Sequence, residues 1–254
     1  MGLGGVLLLL VLSLIFKRDF FSLLEGDAGM PSASVNRSNP ELDAREEPKV
    51  QFVSFVLDDA QNTWKEILPQ TGRQYHDAKL VLFRDAVNSG CGFAESATGP
   101  FYCPTDEKVY IDLGFYDDLK NRFGASGDFA QAYVLAHEIG HHVQHLMGID
   151  SKVRQAQRAN PLAANELSVR LELQADCLAG IWGHSTQQRN ILEQGDLEKA
   201  LNAAAAIGDD RIQRMSTGGV SPESFTHGSS EQRKDWFQKG FQSGDVSSCD
   251  TFTR

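Results

Sequence analysis

The sequence has no surplus of positive charge, no C-x-x-C pair and no internal repeat. Its formal net charge is −10, which gives no electrostatic basis for nucleic-acid binding, so we expect no nucleic-acid partner. None of the four cysteines belongs to a C-x-x-C motif, which argues against a zinc ribbon or a thioredoxin-like redox site. The lack of repeats excludes a solenoid. A chain of 254 residues is long enough for one domain with a sizeable core and further segments.

An apolar run long enough to cross a bilayer upright is also missing. The longest run, residues 3–16, is shorter than the roughly 20 residues that a spanning helix needs. No Lys or Arg precedes this run, whereas Lys17 and Arg18 follow it, which is unusual for a signal peptide and runs against the positive-inside rule. A membrane anchor, a signal-peptide core and a buried helix are therefore the alternatives for residues 1–24, and we favour the anchor.

The rest of the chain divides into a predicted linker and one predicted domain. Residues 25–49 are rich in Gly, Ser, Pro and Asn and lack apolar periodicity, which predicts a flexible linker. Apolar residues return at helical spacing after this stretch, so we expect residues 50–254 to form the folded domain.

A His-Glu-x-x-His motif occupies residues 137–141, within a segment of helical apolar periodicity. Residues four apart share one face of a helix, so the imidazoles of His137 and His141 can bind one zinc ion. Glu138 reaches the same opening without being a ligand, and its carboxylate is free to take a proton from a metal-activated water. The alternative interpretation is a polar helix face whose histidines point to water.

Three further residues of this segment bear on the metal site and on packing: His142, His145 and Gly140. His141 and His145 are also four apart and form a rival pair, but the residue after His141 is His142 rather than a carboxylate, so we predict that His142 and His145 are not ligands. Gly140 stands in mid-helix, where glycine costs about 1 kcal/mol relative to alanine. Its presence predicts the close approach of another element.

A third metal ligand is expected downstream. Glu172 and Asp176 are four apart in a second helical segment, so both project from one face. Glu172 can bind the metal, and Asp176 can accept the second N–H of a ligand histidine and so select its tautomer. Glu166 is the competing carboxylate, but it lacks an acidic partner one turn later. The alternative for all three is an ordinary solvated helix face.

Three motifs together resemble the bacterial neutral zinc metallopeptidase family. They are H-E-I-G-H-H-V-Q at 137–144, E-L-Q-A-D-C-L-A-G at 172–180 and C-G-F-A…G-P-F-Y-C-P at 91–104. The Glu-x-x-x-Asp part is similar to gluzincins more broadly, and the resemblance runs from about residue 50 to the C-terminus. It implies a zincin-type catalytic domain, one Zn²⁺ per chain bound by His137, His141 and Glu172, and Glu138 as the catalytic base.

Helices and strands are both predicted after residue 50, which places the fold in the α+β class. The strands are 79–83 and 108–113, and the helices include 50–68, 187–207 and 230–242. We expect a mostly helical, zincin-like domain with a small antiparallel sheet. By analogy with zincins, residues 99–113 are the candidate for an edge strand that pairs with extended substrate, and an ordinary internal strand is the alternative.

A donor for the oxyanion of peptide hydrolysis is expected among later residues. His227 lies in a loop before the last predicted helix and resembles the downstream histidine of membrane-associated gluzincins. Tyr110 is a second candidate. The alternative for His227 is a loop histidine that caps a helix or faces solvent.

The four cysteines allow three pairings. Cys91 and Cys103 bracket a loop with Gly and Pro, which suits a local bridge, and pairing Cys177 with Cys249 would attach the C-terminus to the helix of Glu172. Each bridge stabilises by about 2–4 kcal/mol. An even count and an apolar N-terminus favour an extracytoplasmic location, and the alternative is four buried thiols in a cytosolic enzyme.

These observations predict a zinc peptidase that hydrolyses peptide bonds in a peptide or protein substrate. It would be held at the membrane by its N-terminal segment, with the catalytic domain in the periplasm or at the cell surface, or be secreted after signal cleavage. One alternative is a zinc-stabilised, catalytically inactive interaction domain at the membrane surface, and another is a zinc hydrolase of a different amide. The presence of Glu138 favours catalysis, because a structural metal site does not need it.

Overall fold

A computed structural model of the chain describes residues 40–96 and 99–253, and the side chains among these from residue 46 onward. The predicted anchor or signal segment at residues 1–24 lies outside the described residues, as do residues 25–39 of the predicted linker. One compact unit spans Arg45–Arg254. Among the helices of the described part, none combines the length and the apolar character that a membrane-spanning segment needs.

The described residues form an α+β fold with eight α-helices and five short β-strands, in agreement with the predicted class. In chain order the elements are α1 (Pro40–Ile67), β1 (Lys79–Phe83), β2 (Ala86–Ser89), β3 (Gly92–Glu95), β4 (Phe101–Cys103), β5 (Lys108–Asp112), α2 (Phe115–Asn121), α3 (Asp128–Met147), α4 (Ile149–Ala159), α5 (Ala164–Gln188), α6 (Asp196–Ala206), α7 (Asp209–Thr217) and α8 (Ser230–Ser243).

The larger sheet is mixed, so the expectation of an antiparallel sheet is wrong in part. Its strand order is β1-β5-β4, with β1 parallel to β5 and β4 antiparallel to β5. The separate β2–β3 pair is antiparallel. Along the chain, this hairpin and then β4 come after β1 and before β5. Strand β5 runs in the same direction as β1. Of the region 99–113, β5 is therefore the internal strand and β4 lies at the edge.

Helix α1 begins at Pro40, so residues 40–49 of the predicted linker are helical. Pro48 lies inside this helix, although proline lacks the N–H that an interior helical position donates. The linker was predicted from composition and the lack of apolar periodicity, and neither excludes a helix. The buried face begins at Val53 and continues through Ala60 and Trp64.

The segment 187–207, predicted as one helix, is two. Helix α5 ends at Gln188 and α6 begins at Asp196. Between them Asn190 and Gly195 have φ values of 57° and 89°, in the left-handed region that ends a right-handed helix. The alanine run at residues 203–206 ends the second of these helices.

Helices α5 and α8 pack at very short range in the centre of the domain. A Cβ atom at Gly240 of α8 would overlap the backbone carbonyl of Cys177 on α5, and Gly180 of α5 meets the backbone of α8 in the same way. Phe237 fills the space beside these contacts and is fully buried. The small residues allow α8 to lie directly on the helix that presents Glu172.

Candidate metal centre

Helices α3 and α5 bring the predicted ligands together because their backbones nearly touch beside the motif. A Cβ atom at Gly140 would lie 2.9 Å from the carbonyl oxygen of Ala175 and 3.2 Å from its Cα atom. The close approach predicted from this mid-helix glycine is thus present. It allows His137 and His141 of α3 to face Glu172 across a narrow gap.

His137, His141 and Glu172 form a group that could hold a metal ion, with one ligand atom from each residue within 4.8 Å of the others. Nε2 of His137 lies 3.1 Å from one carboxylate oxygen of Glu172, and Nε2 of His141 lies 3.4 Å from the other. Two imidazole nitrogens and one carboxylate oxygen are the donor set of a catalytic zinc site that keeps a fourth position open. The chemistry of these donors therefore fits zinc.

Electrostatics keep the carboxylate of Glu172 ionised, which is the form that binds a metal. Burial alone would raise the pKa of Glu172, but the charges of and hydrogen bonds to His141 and His137 outweigh it and keep that pKa well below its usual value. Burial alone would lower the pKa of His137, yet Asp176 and Glu172 raise it to about 10. The carboxylate of Glu172 stays ionised and can therefore serve as a ligand for a cation.

Asp176 orients His137 from the side opposite the gap. Its Oδ1 accepts a hydrogen bond from Nδ1 of His137 at 2.8 Å, which leaves Nε2 of the ring for the metal. Tyr133 donates to the same oxygen at 2.5 Å. Asp176 is fully buried, and its negative charge is balanced by Arg233 of α8.

Arg233 was missed from the sequence. Its Nε lies 2.8 Å from Oδ2 of Asp176 and its Nη2 lies 3.0 Å from Oδ1, while only 2% of the residue is exposed. One signal was available, because Arg233 lies four residues before Phe237, on the apolar face of α8. An arginine there needs a buried anionic partner.

A cavity of about 850 Å³ has the metal-ligand candidates in its wall. Glu138, which is 6% exposed, lines the same cavity. Edge strand β4 borders it through Phe101 and Tyr102, and α2 and the following turn add Phe115 and Phe123. The cavity thus combines aromatic side chains with the carboxylate of Glu138, which follows the candidate ligand His137 directly in the chain.

His227 lies in the wall of this cavity as well. Its Nδ1 is 2.9 Å from Oγ1 of Thr226 and 3.3 Å from a carboxylate oxygen of Asp209, whose second oxygen accepts the backbone N–H of His227 at 2.6 Å. The hydrogen bond with Asp209 raises the pKa of the imidazole against the effect of burial. Because Nδ1 is engaged, Nε2 is the ring nitrogen left to contact a ligand.

Tyr110 and Glu166 do not lie in the cavity wall. Tyr110 is buried in β5, stacks on Phe101 and donates to Asp106 at 2.6 Å, so the suggestion that it stabilises an oxyanion is wrong. Glu166 is exposed on α5 and pairs with Arg170 at 2.7 Å. It is the solvated carboxylate that the alternative interpretation described.

His142 and His145 have structural partners instead of a place beside Glu172. His142 is fully buried, donates from Nε2 to the carbonyl oxygen of His76 at 2.7 Å and meets the hydroxyl of Tyr102 at 2.9 Å through Nδ1. Burial lowers its pKa, which keeps the ring neutral. Nδ1 of His145 pairs with Asp150 at 2.9 Å.

Both expected disulfides are present. Cys91 is bonded to Cys103 across the β2–β3 hairpin and β4, and Cys177 of α5 is bonded to Cys249 near the C-terminus. The second bridge begins one residue after Asp176. It therefore holds the C-terminal segment against the helix that presents Glu172.

Comparisons with known proteins agree with the motifs. The family model described as "Putative neutral zinc metallopeptidase" matches residues 1–252. The chain is 51% identical over 254 residues to "Uncharacterized protein YpfJ" of Escherichia coli strain K12, covering 99% of this chain and 87% of that protein. It is 45% identical over 201 residues to "Uncharacterized protein Rv2575" of Mycobacterium tuberculosis, covering 75% of this chain and 66% of that protein. No solved structure matches the chain. The chain therefore belongs to the neutral zinc metallopeptidase family.

Proposed function

We propose that this protein is a zinc-dependent peptidase with a zincin-like catalytic domain. The observation that carries the proposal is the placement of Glu138 in the wall of the cavity that also contains His137, His141 and Glu172. A purely structural zinc site uses four protein ligands and needs no free acid beside them. Three ligands with an adjacent carboxylate form the arrangement that hydrolysis requires.

His137, His141 and Glu172 would hold the ion. When bound there, zinc supplies Lewis acidity, which lowers the pKa of a water molecule towards about 7 and polarises a carbonyl group. Asp176 keeps the proton of His137 on Nδ1, and the contact at 2.8 Å prevents the ring from turning. The protein thereby prepares its ligands before an ion arrives.

Glu138 acts as the general base. Its carboxylate takes a proton from the attacking water and later passes it to the amine of the leaving peptide. His227 is the proposed oxyanion donor, because Asp209 and Thr226 engage its Nδ1 and leave Nε2 for the substrate. Its raised pKa favours the protonated ring, which is a stronger hydrogen-bond donor.

The substrate is proposed to be a peptide or a protein in extended conformation. Among the described residues, strand β4 pairs with β5 alone, and its residues Phe101 and Tyr102 border the cavity. An exposed strand edge can add an extended peptide by backbone hydrogen bonds. Phe115 and Phe123 in the same wall favour a substrate with apolar side chains near the cleaved bond.

The location is proposed to be extracytoplasmic, with the N-terminal segment at the membrane. Two disulfides support an oxidising compartment, since such bonds are rare in reduced cytosol. Periplasm, cell surface and release after signal cleavage are all compatible with this proposal.

The test compares wild type with Glu138→Gln, using Glu166→Gln on exposed α5 as the matched control. Zinc content is measured by metal analysis, and cleavage is measured on casein and on a library of unstructured peptides. We expect about one zinc per chain in all three proteins and a loss of about 10²–10⁴-fold in cleavage for Glu138→Gln alone. Zinc binding without any cleavage by wild type would favour the inactive interaction domain and refute the peptidase.

A further inference from the structure

A continuous chain of hydrogen bonds joins the ligand candidate His141 to the C-terminal segment through Gln144 and Gln174. We propose that these two glutamines are positioning residues, which set the tautomer and the orientation of His141 for metal binding. We call the two glutamines and the backbone carbonyl of Cys249 the glutamine relay. The proposal rests on the proposed metal centre and adds a second orienting system to it, separate from Asp176.

Gln144, one turn after His141 on α3, is the first link. Its Oε1 lies 2.8 Å from Nδ1 of His141, and its Nε2 donates to the carbonyl oxygen of Leu171 at 2.7 Å and to Oε1 of Gln174 at 3.0 Å. Both N–H bonds of the amide are used, and a flipped amide would set its oxygen against two acceptor oxygens. Oε1 must therefore accept from His141, so Nδ1 has the proton and Nε2 keeps the lone pair that a metal needs.

Gln174 is the second link. It donates from Nε2 to the carbonyl oxygen of Cys249 at 3.0 Å, so its amide is fixed in one orientation as well. Gln144 is fully buried and Gln174 is 6% exposed, and a buried amide without its partners costs folding free energy. These two residues therefore hold one arrangement as long as the carbonyl stays in place.

The C-terminal segment is held in place by two independent contacts with α5. Cys249 is disulfide-bonded to Cys177, three positions after Gln174 on that helix. Thr251 donates from its hydroxyl to the carbonyl oxygen of Arg170 at 2.7 Å. The end of the relay is thus attached to the helix that presents Glu172 by a covalent bond and a hydrogen bond.

The relay differs chemically from the system that orients His137. Asp176 is a buried carboxylate balanced by Arg233, whereas both side chains of the relay are neutral. A neutral acceptor fixes the direction of His141 without adding charge beside the site. The relay therefore acts on the geometry of this ligand, and through it on zinc affinity.

The experiment measures zinc affinity of the full chain by competition with a chromogenic chelator. The variants are Gln144→Leu, Gln174→Leu and the two combined, and Gln61→Leu is the control, because Gln61 is a buried glutamine of α1 that does not line the cavity. We expect Gln144→Leu to weaken zinc binding by about 10–100-fold, the usual effect of removing a partner of a ligand histidine. Gln174→Leu should weaken it less, and the control should leave it unchanged.

The combined variant decides whether the two glutamines act in series. A relay predicts that it binds zinc no more weakly than Gln144→Leu, because Gln174 acts only through Gln144. If the losses of zinc affinity in the two single variants multiply in the combined variant, the relay is overturned. It is also overturned by unchanged affinities accompanied by a loss of stability in the metal-free variants, which would leave the glutamines a structural role only.

Wild type provides a second measurement that does not depend on a variant folding. In the NMR spectrum of zinc-loaded protein with ¹⁵N-labelled histidine, the Nδ1 proton of His141 should be visible and should exchange slowly with water. A spectrum without a proton on this nitrogen would contradict the proposal. Zinc affinity is measured without substrate. If the glutamine variants show the expected zinc affinities but wild type cleaves no peptide, the proposed peptidase function is refuted and the relay is not.

Discussion

Arg233 of α8 binds the carboxylate of Asp176 on α5 at two points, with Nε 2.8 Å from Oδ2 and Nη2 3.0 Å from Oδ1. Oδ1 also accepts the hydrogen bond from His137. Such two-point contacts between ionised groups are among the stronger hydrogen bonds in proteins. The last helix of the domain is thereby joined to the candidate metal ligand through a single buried carboxylate.

Replacing Arg233 with methionine should destabilise the domain strongly. Asp176 would keep its buried charge without the guanidinium that balances it, and breaking a buried ion pair in this way costs about 3–5 kcal/mol. Chemical denaturation at neutral pH measures the loss. The control is Arg214→Met, since Arg214 is 64% exposed and 3.8 Å from Asp210, and an exposed pair contributes about 0–1 kcal/mol. Equal losses in the two variants would contradict the buried-charge argument.

Replacing Glu172 with alanine should abolish zinc binding, because it removes one of three ligands and the only anionic one. The zinc content measured by metal analysis after dialysis should fall from about one zinc per chain to near zero. Glu166→Ala on the same helix is the matched control, as its carboxylate is 66% exposed and pairs with Arg170. Zinc retained by the Glu172 variant would rule out the proposed ligand set.

Replacing Gly140 with alanine should push α3 and α5 apart. The new Cβ would meet backbone atoms of Ala175, which cannot move aside as a side chain can. Overpacking of this kind costs about 1–3 kcal/mol, against roughly 1 kcal/mol gained by alanine in a helix. We expect lower stability in denaturation and weaker zinc binding. Gly219→Ala, with no atom within 4 Å of the added Cβ, should show neither effect.

The loop of His227 should respond to pH through Asp209. Burial would raise the pKa of Asp209, but hydrogen bonds from the side chain and backbone of His227 and from the backbone of Thr226 outweigh it and lower the pKa. This contribution to stability is complete above the unfolded pKa, about 3.9, and is lost as pH falls through the folded value. The pKa of His227 is raised, so its share is complete below about 6.5 and is lost as pH rises through the folded value.

Asp209→Asn should therefore destabilise most between about pH 4 and pH 6.5, where both contributions are complete. Loss of a hydrogen-bonded charge of this kind costs about 1.5–3 kcal/mol. Denaturant titrations at pH 3, pH 5.5 and pH 9 compare the variant with wild type. If the difference in free energy of unfolding between variant and wild type stays constant across this pH range, ionisation of Asp209 and His227 does not stabilise the loop.

Relationships inside a single helix could be predicted from the sequence. His137 and His141, like Glu172 and Asp176, are four residues apart, and the geometry of one helix puts each pair on a common face. Gly140 indicated the close approach of another element, because a glycine in mid-helix lowers helix stability and is used where a larger side chain does not fit. The pairing of the cysteines was also favoured by position along the chain.

The tertiary structure alone decided what meets across elements. Three such relationships join residues far apart in the chain. They are the parallel pairing of β1 with β5, the contact of Arg233 with Asp176 and the hydrogen bond from Gln174 to Cys249. Such contacts depend on the angle and the register at which finished elements pack, and hydrophobic periodicity does not encode these quantities. The sequence by itself determined which side chains could bind zinc, whereas packing decided which residues keep them aimed at it.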